Sequence, residues 1–354
     1  MILKVYRAAT GLSQAALAEQ LGYDRTYLTM IENGRRTITN VADLRRLAQH
    51  LGVPPYVVGV TDDAHEDTRA MIMFGESTVR LASTARQAGR AAEAINELWP
   101  LIWRMESRLT TGRADYDVAR LLGSARAALG VALGDVLPEE RLSAAARWTG
   151  RALHVANRID DPDLLLLALR VHGNELRKIG RKSASITRLQ HAAQIASAGN
   201  RGAVLIPLAR TLGEIGDAHG FDAVLTDLHR HLDTHQLTPL VNPFVVREVT
   251  LRGLSTTGRL TAAVRLAQTN PPDLTTVAPQ WRAIERVTVA EVWRKAGDTE
   301  AAELALRESI STAEALQLPH QVQRAMRATG SDMPGIREAG SEALKRLRMS
   351  GPAA

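Results

Sequence analysis

The sequence predicts an all-α protein made of a small N-terminal helical domain and a long array of paired helices. Three observations predict this fold class. Apolar residues recur three and four positions apart along most of the chain, which is the spacing of one helix face. Aromatic residues make up only 4% of the sequence, and no segment alternates apolar and polar residues convincingly, as a half-buried strand would. The 354 residues also exceed what one ordinary core organises, which favours several domains or a repeat array.

The composition limits the classes of function. The absence of cysteine excludes disulfides, cysteine-ligated zinc and thiol catalysis. No apolar run reaches the roughly 18 residues of a transmembrane helix, and the first residues lack the apolar stretch of a signal peptide, so we expect a cytoplasmic protein. No Walker loop, dinucleotide fingerprint or Ser-His-Asp order is present, so we expect neither an enzyme nor a cofactor. The net charge of +6 fits a polyanionic partner.

Residues 1–60 are predicted to form a five-helix domain. Ser13 and Asp24 have the N-cap chemistry for the second and third helices, and Gly22 and Gly34 follow them as helix ends. A proline opens the short fifth helix. The five predicted helices span 2–9, 14–21, 25–33, 41–51 and 54–58.

The segment LSQAALAEQLGYDRTYLTMIENGRR, followed by LRRLAQHLGVPP, resembles the Xre/lambda-repressor family of helix-turn-helix proteins. The resemblance covers about 60 residues and implies a lambda-repressor-like domain that binds double-stranded DNA. The alternative interpretation is a helical bundle with no role in DNA binding. In a helix-turn-helix domain the second helix of the motif enters the major groove and presents its N-terminal residues to base edges.

That geometry assigns a DNA-binding role to nine residues. Base contacts are expected from the recognition helix, where an arginine can pair with guanine and a threonine or methionine can touch a thymine methyl group. The tyrosine would reach a base or a phosphate, and packing is the alternative role of the methionine. Phosphate contacts are expected at the start of the preceding helix and in the loop after the recognition helix. The residues are Arg25, Thr26, Tyr27, Thr29 and Met30 for the recognition helix, and Gln14, Arg35, Arg36 and Thr37 for the phosphates.

An acidic segment and a periodic pattern follow the first domain. We expect residues 61–71, which include the run TDDAHED, to be a linker that acts as a hinge. Beyond it, Gly180, Gly220, Gly258 and Gly297 recur at intervals of 40, 38 and 39 residues, and Gly89 lies 91 residues before the first of them. Such a period predicts stacked helix pairs over residues 72–318, with capping helices and a tail over 319–354. Six pairs fit, at 72–107, 114–159, 161–199, 201–235, 242–270 and 277–317.

The segments GNELRKIGRKSASITRLQHAAQIA and AEVWRKAGDTEAAELALRESI resemble tetratricopeptide repeats, which predicts an α-solenoid. An Xre-type domain followed by such repeats resembles the RRNPP family of regulators. The resemblance implies a transcriptional regulator that acts as a homodimer on an inverted-repeat operator. It also implies that a signalling peptide, of the quorum-sensing type, binds in the concave face of the repeats and modulates operator binding.

Two other functions stay open. The repeats could bind a protein partner instead of a peptide, as in an antitoxin-like regulator. The chain could also be a structural adaptor whose helix-turn-helix domain docks proteins.

The ligand-binding positions follow from the glycine period, because the first helix of each pair lines the concave face. Positions 3, 6 and 10 residues before each glycine are expected to face the groove, except that in the first repeat Arg80, nine residues before Gly89, replaces the apolar Val79. Asn174, with Arg170 and Arg177 about one turn to either side, is the first choice, since an amide can both donate to and accept from a peptide backbone. The eleven candidates are Arg80, Arg86, Arg170, Asn174, Arg177, Arg210, Glu214, Glu248, Arg252, Glu291 and Arg294.

Two further expectations concern charge. Arginines occupy the N-terminal part of this groove and acids begin at Glu214, so a bound peptide would place its carboxylates toward the first repeats and its amino end toward the acids. Asp227, His231 and His235 are spaced four apart on one predicted helix face. That spacing suits zinc, but a polar outer face is the simpler interpretation, and we expect no metal.

Overall fold

The computed structural model describes residues 2–53, 58–60, 63–110, 116–272 and 277–350, and within them the predicted all-α fold is confirmed. The chain divides into two compact units, Met1–Met71 and Ile72–Ala354. The first contains helices α1 (Ile2–Thr10), α2 (Gln14–Leu21), α3 (Arg25–Glu32) and α4 (Val41–Leu51). Helix α5 (Asp63–Gln87) crosses the division.

The first unit owes its short helices to local capping. Ser13 accepts a hydrogen bond from the backbone N–H of Ala16 at the start of α2, and Asp24 accepts one from Thr26 at the start of α3. Gly22 adopts the left-handed conformation with φ 69°, which a residue without a Cβ reaches at no steric cost, so the chain can turn sharply between the two helices. The predicted fifth helix falls largely on residues 54–57, which lie outside the described residues.

A small leucine core holds the four helices together. The leucines at positions 3, 17, 28, 47 and 51 are all less than a tenth exposed and pack in one cluster. Burial of each contributes about 1.5–3 kcal/mol relative to an exposed side chain. The core therefore fixes α3 against α2 and leaves the opposite face of α3 free.

The acidic segment is helical where it is described, which corrects the predicted linker. Helix α5 begins at Asp63 and continues to Gln87, so most of residues 61–71 belong to a 25-residue helix. Acidic residues are favourable in the first turn of a helix because they compensate the helix dipole. The composition that we interpreted as a break therefore also fits a helix start.

The second unit consists of helical hairpins. The helices are α6 (Ala91–Thr110), α7 (Tyr116–Val136), α8 (Leu142–Ile159), α9 (Pro162–Lys178), α10 (Lys182–Ile195), α11 (Ala198–Glu214), α12 (Ala218–Thr234), α13 (Pro243–Thr256), α14 (Leu260–Ala267), α15 (Gln280–Ala296), α16 (Thr299–Ala315), α17 (Pro319–Ala328) and α18 (Pro334–Ser350). From α7 to α17 each odd-numbered helix packs on the next odd-numbered helix, and the even-numbered helices pack against them from one side. The odd-numbered helices thus form a continuous inner layer.

Glycines in the left-handed conformation end the first helix of most hairpins, with one correction to the predicted period. Gly89, Gly180, Gly258 and Gly297 have φ between 81° and 84°, as the period predicts. The turn glycine between α11 and α12 is Gly216 and not Gly220. The physical reason is that the side chain of Asp217 accepts a hydrogen bond from the N–H of Gly220 and caps α12, so Gly220 lies inside the first turn of that helix.

The inner layer of the second unit closes on itself. Helix α17 contacts α7 and the short 3-10 turn Glu139–Arg141 that follows α7. The side chain of Gln323 accepts a hydrogen bond from the backbone N–H of Glu139 at 2.7 Å and donates one to Glu140 at 2.9 Å. Arg327 forms an ion pair with Glu139. The predicted capping helices therefore return to the start of the array and enclose its concave side.

Candidate functional site

The exposed face of α3 carries the predicted base-contacting residues. Arg25 and Thr26 are exposed at the N-terminus of the helix, whereas Tyr27, Thr29 and Met30 are half-buried. Thr29 donates its hydroxyl hydrogen bond to the carbonyl of Arg25 at 2.8 Å. This arrangement leaves the first turn of α3 open to solvent, as a helix that presents its N-terminal residues to a groove requires.

The loop after α3 adds two further positive charges to the same unit. Arg35, Arg36 and Thr37 are exposed. The guanidinium of Arg36 lies 5.3 Å from the centre of the Tyr27 ring, at cation–π distance, and that ring meets Tyr23 edge-on. The stacking restricts both side chains, so an arginine and an aromatic ring are held together beside the recognition helix.

Gln14 is held in place by a buried carboxylate that the sequence reasoning missed. Its amide nitrogen donates to Glu32 at 2.6 Å, and Arg7 donates to the other oxygen of the same carboxylate at 3.0 Å. Burial alone would raise the pKa of Glu32, but the hydrogen bonds from Arg7 and Gln14 outweigh it and hold the pKa below its ordinary value. The ionised Glu32 therefore ties α1, α2 and α3 together. A glutamate directly before the Asn-Gly helix end was the signal available in the sequence.

The second unit contains a cavity of about 410 Å³ on the inner side of the ring of odd-numbered helices. This volume lies within the range of small-ligand pockets. Nine cationic side chains line it: Arg86, Arg170, Arg177, Lys178, Lys182, Arg210, Arg252, Arg324 and Arg327. Among the described residues, three acids line it: Asp135, Glu139 and Glu214. The apolar part of the lining includes Val171, Ile206, Pro207, Leu240 and Trp281.

Three glutamates in and behind this lining are paired with arginines or lysines. Glu214 accepts a hydrogen bond from Arg177 at 2.6 Å and another from Lys182. Glu248 is fully buried and accepts from Arg252 at 2.6 Å. Burial would raise the pKa of Glu248, but the surrounding arginines, Arg252 foremost, lower it to about 2.

The third glutamate is Glu291, which accepts from Arg324 at 2.8 Å. Of the acids that we expected to receive the amino end of a peptide, Glu214 and Glu248 are therefore already paired with basic side chains, and Asp217 caps α12.

Two guanidinium groups in the cavity make no hydrogen bond within the described residues, and one of them, Arg170, also makes no ion pair there. In the described part of the chain Arg170 makes no hydrogen bond or ion pair. Burial, together with the positive charge of Arg86, lowers its pKa to about 10.

The side chain of Arg210 is 9% exposed, and its nearest acidic atom is an oxygen of Glu248 at 3.9 Å from Nε. That Nε makes no hydrogen bond within the described residues. The guanidinium lies over the ring of Trp281, 5.3 Å from its centre.

The structure brings together seven of the eleven predicted ligand-binding residues. The seven that line the cavity are Arg86, Arg170, Asn174, Arg177, Arg210, Glu214 and Arg252. Glu248 and Glu291 lie behind the lining and bond to arginines of the cavity wall. Arg80 is exposed and bonds to Ser77 on its own helix, and Arg294 donates to the carbonyl of Ala328, so neither lines the cavity.

The remaining lining cations escaped the sequence reasoning for two reasons. Lys178 and Lys182 lie two residues to either side of the turn glycine Gly180, outside the three positions used. Arg324 and Arg327 lie on α17, which was expected to cap the array and instead closes the ring.

Asp227, His231 and His235 do not form a metal site in the described structure. The rings of His231 and His235 stack 4.3 Å apart, and Asp227 pairs with Arg201 and Arg230. Within the described residues no three histidine or acidic side chains are grouped as metal ligands. Burial is the main cause that lowers the pKa of His231, followed by the proximity of His235.

The comparisons with known proteins agree with the first unit. Residues 2–58 match a protein-family model described as a helix-turn-helix domain. The capped helices α2 and α3 and the exposed first turn of α3 are the parts of such a domain, so the N-terminal unit is a DNA-binding helix-turn-helix domain. No curated protein matches the chain.

Among solved structures, the chain is similar to the crystal structure of Bacillus thuringiensis PlcR in complex with the peptide PapR7 and DNA. The two share 14% identity over 91% of this chain and 96% of that chain, with a TM-score of 0.36. None of the described helices is both long enough and apolar enough to cross a membrane.

Proposed function

We propose that the chain is a sequence-specific transcriptional regulator that binds an inverted-repeat operator as a homodimer. In this proposal its helical array binds a short signalling peptide, which modulates operator binding. The observation that carries the proposal is a cationic cavity, with two guanidinium groups that make no hydrogen bond within the described residues, in a chain that begins with a DNA-binding domain.

The DNA-binding residues divide into two roles in this proposal. Arg25, exposed at the start of α3, pairs with guanine in the major groove, and such a bidentate contact contributes roughly 1–3 kcal/mol of discrimination. Arg35 and Arg36 contact phosphates, which increases affinity for all sequences alike. Gln14, held by Glu32, lies at the start of α2, where its amide can reach a phosphate.

The cavity suits a peptide end that carries a carboxylate. Arg170 has five N–H donors, and no acidic side chain meets them in the described structure, so it can bind a carboxylate through two hydrogen bonds. Asn174 lines the same wall and makes only long hydrogen bonds, at 3.2 to 3.3 Å, with Arg177 and Glu175. Its amide can therefore turn toward a peptide backbone.

An exposed apolar stripe supports the homodimer. Phe74 and Leu81 on α5 are 72% and 70% exposed and lie seven residues apart, so they share one face of the helix. A second copy of the chain that covers this face would bury both side chains. It would also supply the second DNA-binding domain that an inverted repeat requires. Light scattering can test this contact by comparing the wild type with a Phe74→Ser, Leu81→Ser double variant. If the contact forms the dimer, the wild type is dimeric and the double variant is monomeric.

The DNA part of the proposal is tested by selecting bound sequences from random duplex DNA and measuring affinity by fluorescence anisotropy. We expect an inverted repeat with half-sites about 10 bp, or a multiple, apart. Arg25→Ala should relax specificity at one base pair, whereas Arg35→Ala should weaken all sequences and lower the salt slope by about 1. Arg147→Ala, an exposed arginine of the second unit, is the matched control. Equal losses on selected and random DNA in both variants would contradict the assigned roles.

The ligand part is tested with synthetic peptides of the short open reading frames that neighbour the gene. A cognate peptide should bind the purified chain with micromolar or better affinity and change its affinity for the selected operator, since a ligand shifts an equilibrium by its differential affinity for two states. Co-purification of a larger protein, with no peptide effect on operator binding, would support the protein-partner alternative instead.

A further inference from the structure

The charges around the cavity do not balance, and the imbalance can be assigned to particular residues. Nine cations line the cavity. Three acids line it with them, and three more, Glu175, Glu248 and Glu291, form ion pairs with lining cations. Six acids against nine cations leave three positive charges without a counterpart among the described residues.

The pairing of the six acids identifies the cations that remain. Each acid has a different principal partner within hydrogen-bond distance: Asp135 with Arg86, Glu139 with Arg327, Glu175 with Lys178, Glu214 with Arg177, Glu248 with Arg252 and Glu291 with Arg324. Arg170, Arg210 and Lys182 are left. Arg210 has only a long contact of 3.9 Å with Glu248, whose principal partner is Arg252, and Lys182 shares Glu214 with Arg177.

Lys182 differs from the other two in its bonding. It donates hydrogen bonds to Glu214 and to the backbone carbonyl of Arg177. Burial and the nearby positive charges of Arg177, Arg252 and Arg210 also lower its pKa to about 7. Among the described residues, the lining cations that have no hydrogen-bonded acceptor are therefore Arg170 and Arg210.

Arg170 is half-buried and Arg210 is buried. A guanidinium that loses water in this way without gaining a hydrogen bond is costly, because the lost water is not replaced. Both arginines are directed into the cavity and not into the protein, since each lines the cavity wall. They lie on neighbouring inner helices, Arg170 on α9 and Arg210 on α11, and the apolar side chains of Val171, Ile206 and Pro207 line the same walls. The site is thus built as two cationic positions with an apolar surface beside them.

We propose that the cavity binds a ligand that carries two anionic groups, carboxylates or phosphates, one paired with Arg170 and the other with Arg210, and an apolar segment between them. The proposal rests on the ligand cavity of the proposed function and narrows the class of its ligand. Two carboxylates of one peptide, an acidic side chain and the C-terminus, satisfy it, and so does a small dicarboxylate or a phosphate ester. Each guanidinium forms a bidentate pair with its anion, which excludes neutral ligands of the same shape.

The test is calorimetry of the purified full-length chain without DNA. The probes are linear dicarboxylates from succinate to suberate, pyrophosphate, and a tetrapeptide with a C-terminal aspartate in free and in amidated, Asn-ending form. Acetate and succinamide are the controls for single charge and for no charge. We expect saturable binding of dianions at millimolar or lower concentration, and at least tenfold weaker binding of the monoanion and neutral controls. Comparison of the peptide with the small dianions shows whether the cavity prefers the carboxylates of a peptide or those of a small molecule.

Variants assign the binding to the two arginines. Arg170→Met and Arg210→Met keep the aliphatic volume and should each weaken dianion binding roughly tenfold to a hundredfold, the range of one charged hydrogen-bonded contact. Arg170→Met should also raise the Tm of the ligand-free chain, because it removes an unpaired buried charge. Arg147→Met, exposed and outside the cavity, should change neither property.

The outcomes separate this proposal from the proposed function. If neither variant weakens the binding of any dianion, if succinamide binds as well as succinate, or if no dianion binds at millimolar concentration, the two-anion proposal is overturned. If a neutral peptide binds and alters operator affinity equally in the wild type and in Arg170→Met, that result would support the proposed function and contradict the two-anion proposal. Dianion binding with no effect on operator affinity would support the two-anion proposal and contradict the proposed function.

Discussion

Glu248 is the most consequential buried charge in the second unit, and its replacement tests the electrostatic account of the cavity. Its side chain has no exposure to solvent and accepts hydrogen bonds from Arg252 at 2.6 and 3.1 Å and from Thr288 at 2.7 Å. Glu248→Gln keeps the shape of the side chain and its bond to Thr288 but removes the negative charge. The variant therefore isolates the contribution of charge from that of packing.

The expected magnitude follows from the pKa. The arginines, led by Arg252, overcome the burial penalty and lower the pKa of Glu248 from 4.5 to about 2. That lowering corresponds to about 3 kcal/mol of stability from the ionised form at neutral pH. Removing one partner of a buried ion pair generally costs about 3–5 kcal/mol of stability, and this range includes the value obtained from the pKa. We expect Glu248→Gln to lower the free energy of unfolding of the array by about 3 kcal/mol at pH 7.

The lowered pKa of Glu248 also determines how the stability of the second unit depends on pH. Because the folded pKa lies below the unfolded one, the contribution of Glu248 is complete above about pH 5 and disappears as the pH falls from 4.5 toward 2. Stability of the wild type should therefore fall more steeply over this interval than stability of Glu248→Gln. At a pH near 2 the two curves should approach each other.

Tryptophan fluorescence during urea unfolding is a suitable assay, since all five tryptophans lie beyond residue 71 and report only on the second unit. The matched control is Glu303→Gln, which removes an exposed carboxylate that accepts from Arg307 at 2.6 Å. An exposed pair of this kind contributes less than about 1 kcal/mol. A loss in Glu248→Gln no greater than that in Glu303→Gln, or parallel pH curves below pH 4.5, would refute the reasoning.

Three further substitutions test local features of the fold. Glu32→Gln should destabilise the helix-turn-helix unit by roughly 1.5–3 kcal/mol, as read from its tyrosine fluorescence, because it weakens the charged hydrogen bonds that join three helices; an unchanged midpoint would contradict this. Gly216→Ala should lower the free energy of unfolding by about 1–2 kcal/mol because φ is 79°. Gly199→Ala, in a helix with open space around the position, should raise the free energy of unfolding by about 0.5–1 kcal/mol. Equal effects of the two variants in urea unfolding would argue against the assigned turn. Gly253→Ala would place a Cβ 2.1 Å from the ring of Phe221, so it should cost at least about 1–3 kcal/mol in the same assay, and a neutral result would mean that the two helices are not so closely packed.

Local features of the fold could be predicted from the sequence because they depend on neighbouring residues. The caps Ser13 and Asp24 and the left-handed Gly22 define the helices of the DNA-binding unit, and the structure has each of them as predicted. The error at Gly220 was also local, since Gly220 lies four residues after the true turn glycine Gly216 and fits the period more evenly. Only the side-chain bond of Asp217 to the Gly220 N–H decides between them.

The cavity could be predicted only in part, because its lining depends on contacts between residues far apart in the chain. The period placed Arg170, Asn174 and Arg177 on the inner face of α9, where they line the cavity. It could not place Arg324, because nothing in the repeat pattern indicates that α17 returns to the turn after α7. The bond between Gln323 and Glu139 spans 184 residues and follows from the accumulated curvature of the inner layer.

That closure also determines how strongly the cavity charges act. In an open groove, water would screen Arg170 and Arg210, and an anion would gain little from either of them. Where α17 contacts the 3-10 turn 139–141, protein continues the wall around the cavity, and a charge pair that is shielded from water is worth several times more than one at the surface. In the two-anion proposal, an anion bonded to Arg170 or Arg210 would lie behind this contact. The proposal therefore predicts that the ligand favours the closed arrangement of the inner layer, because a ligand shifts an equilibrium by its differential affinity for two states.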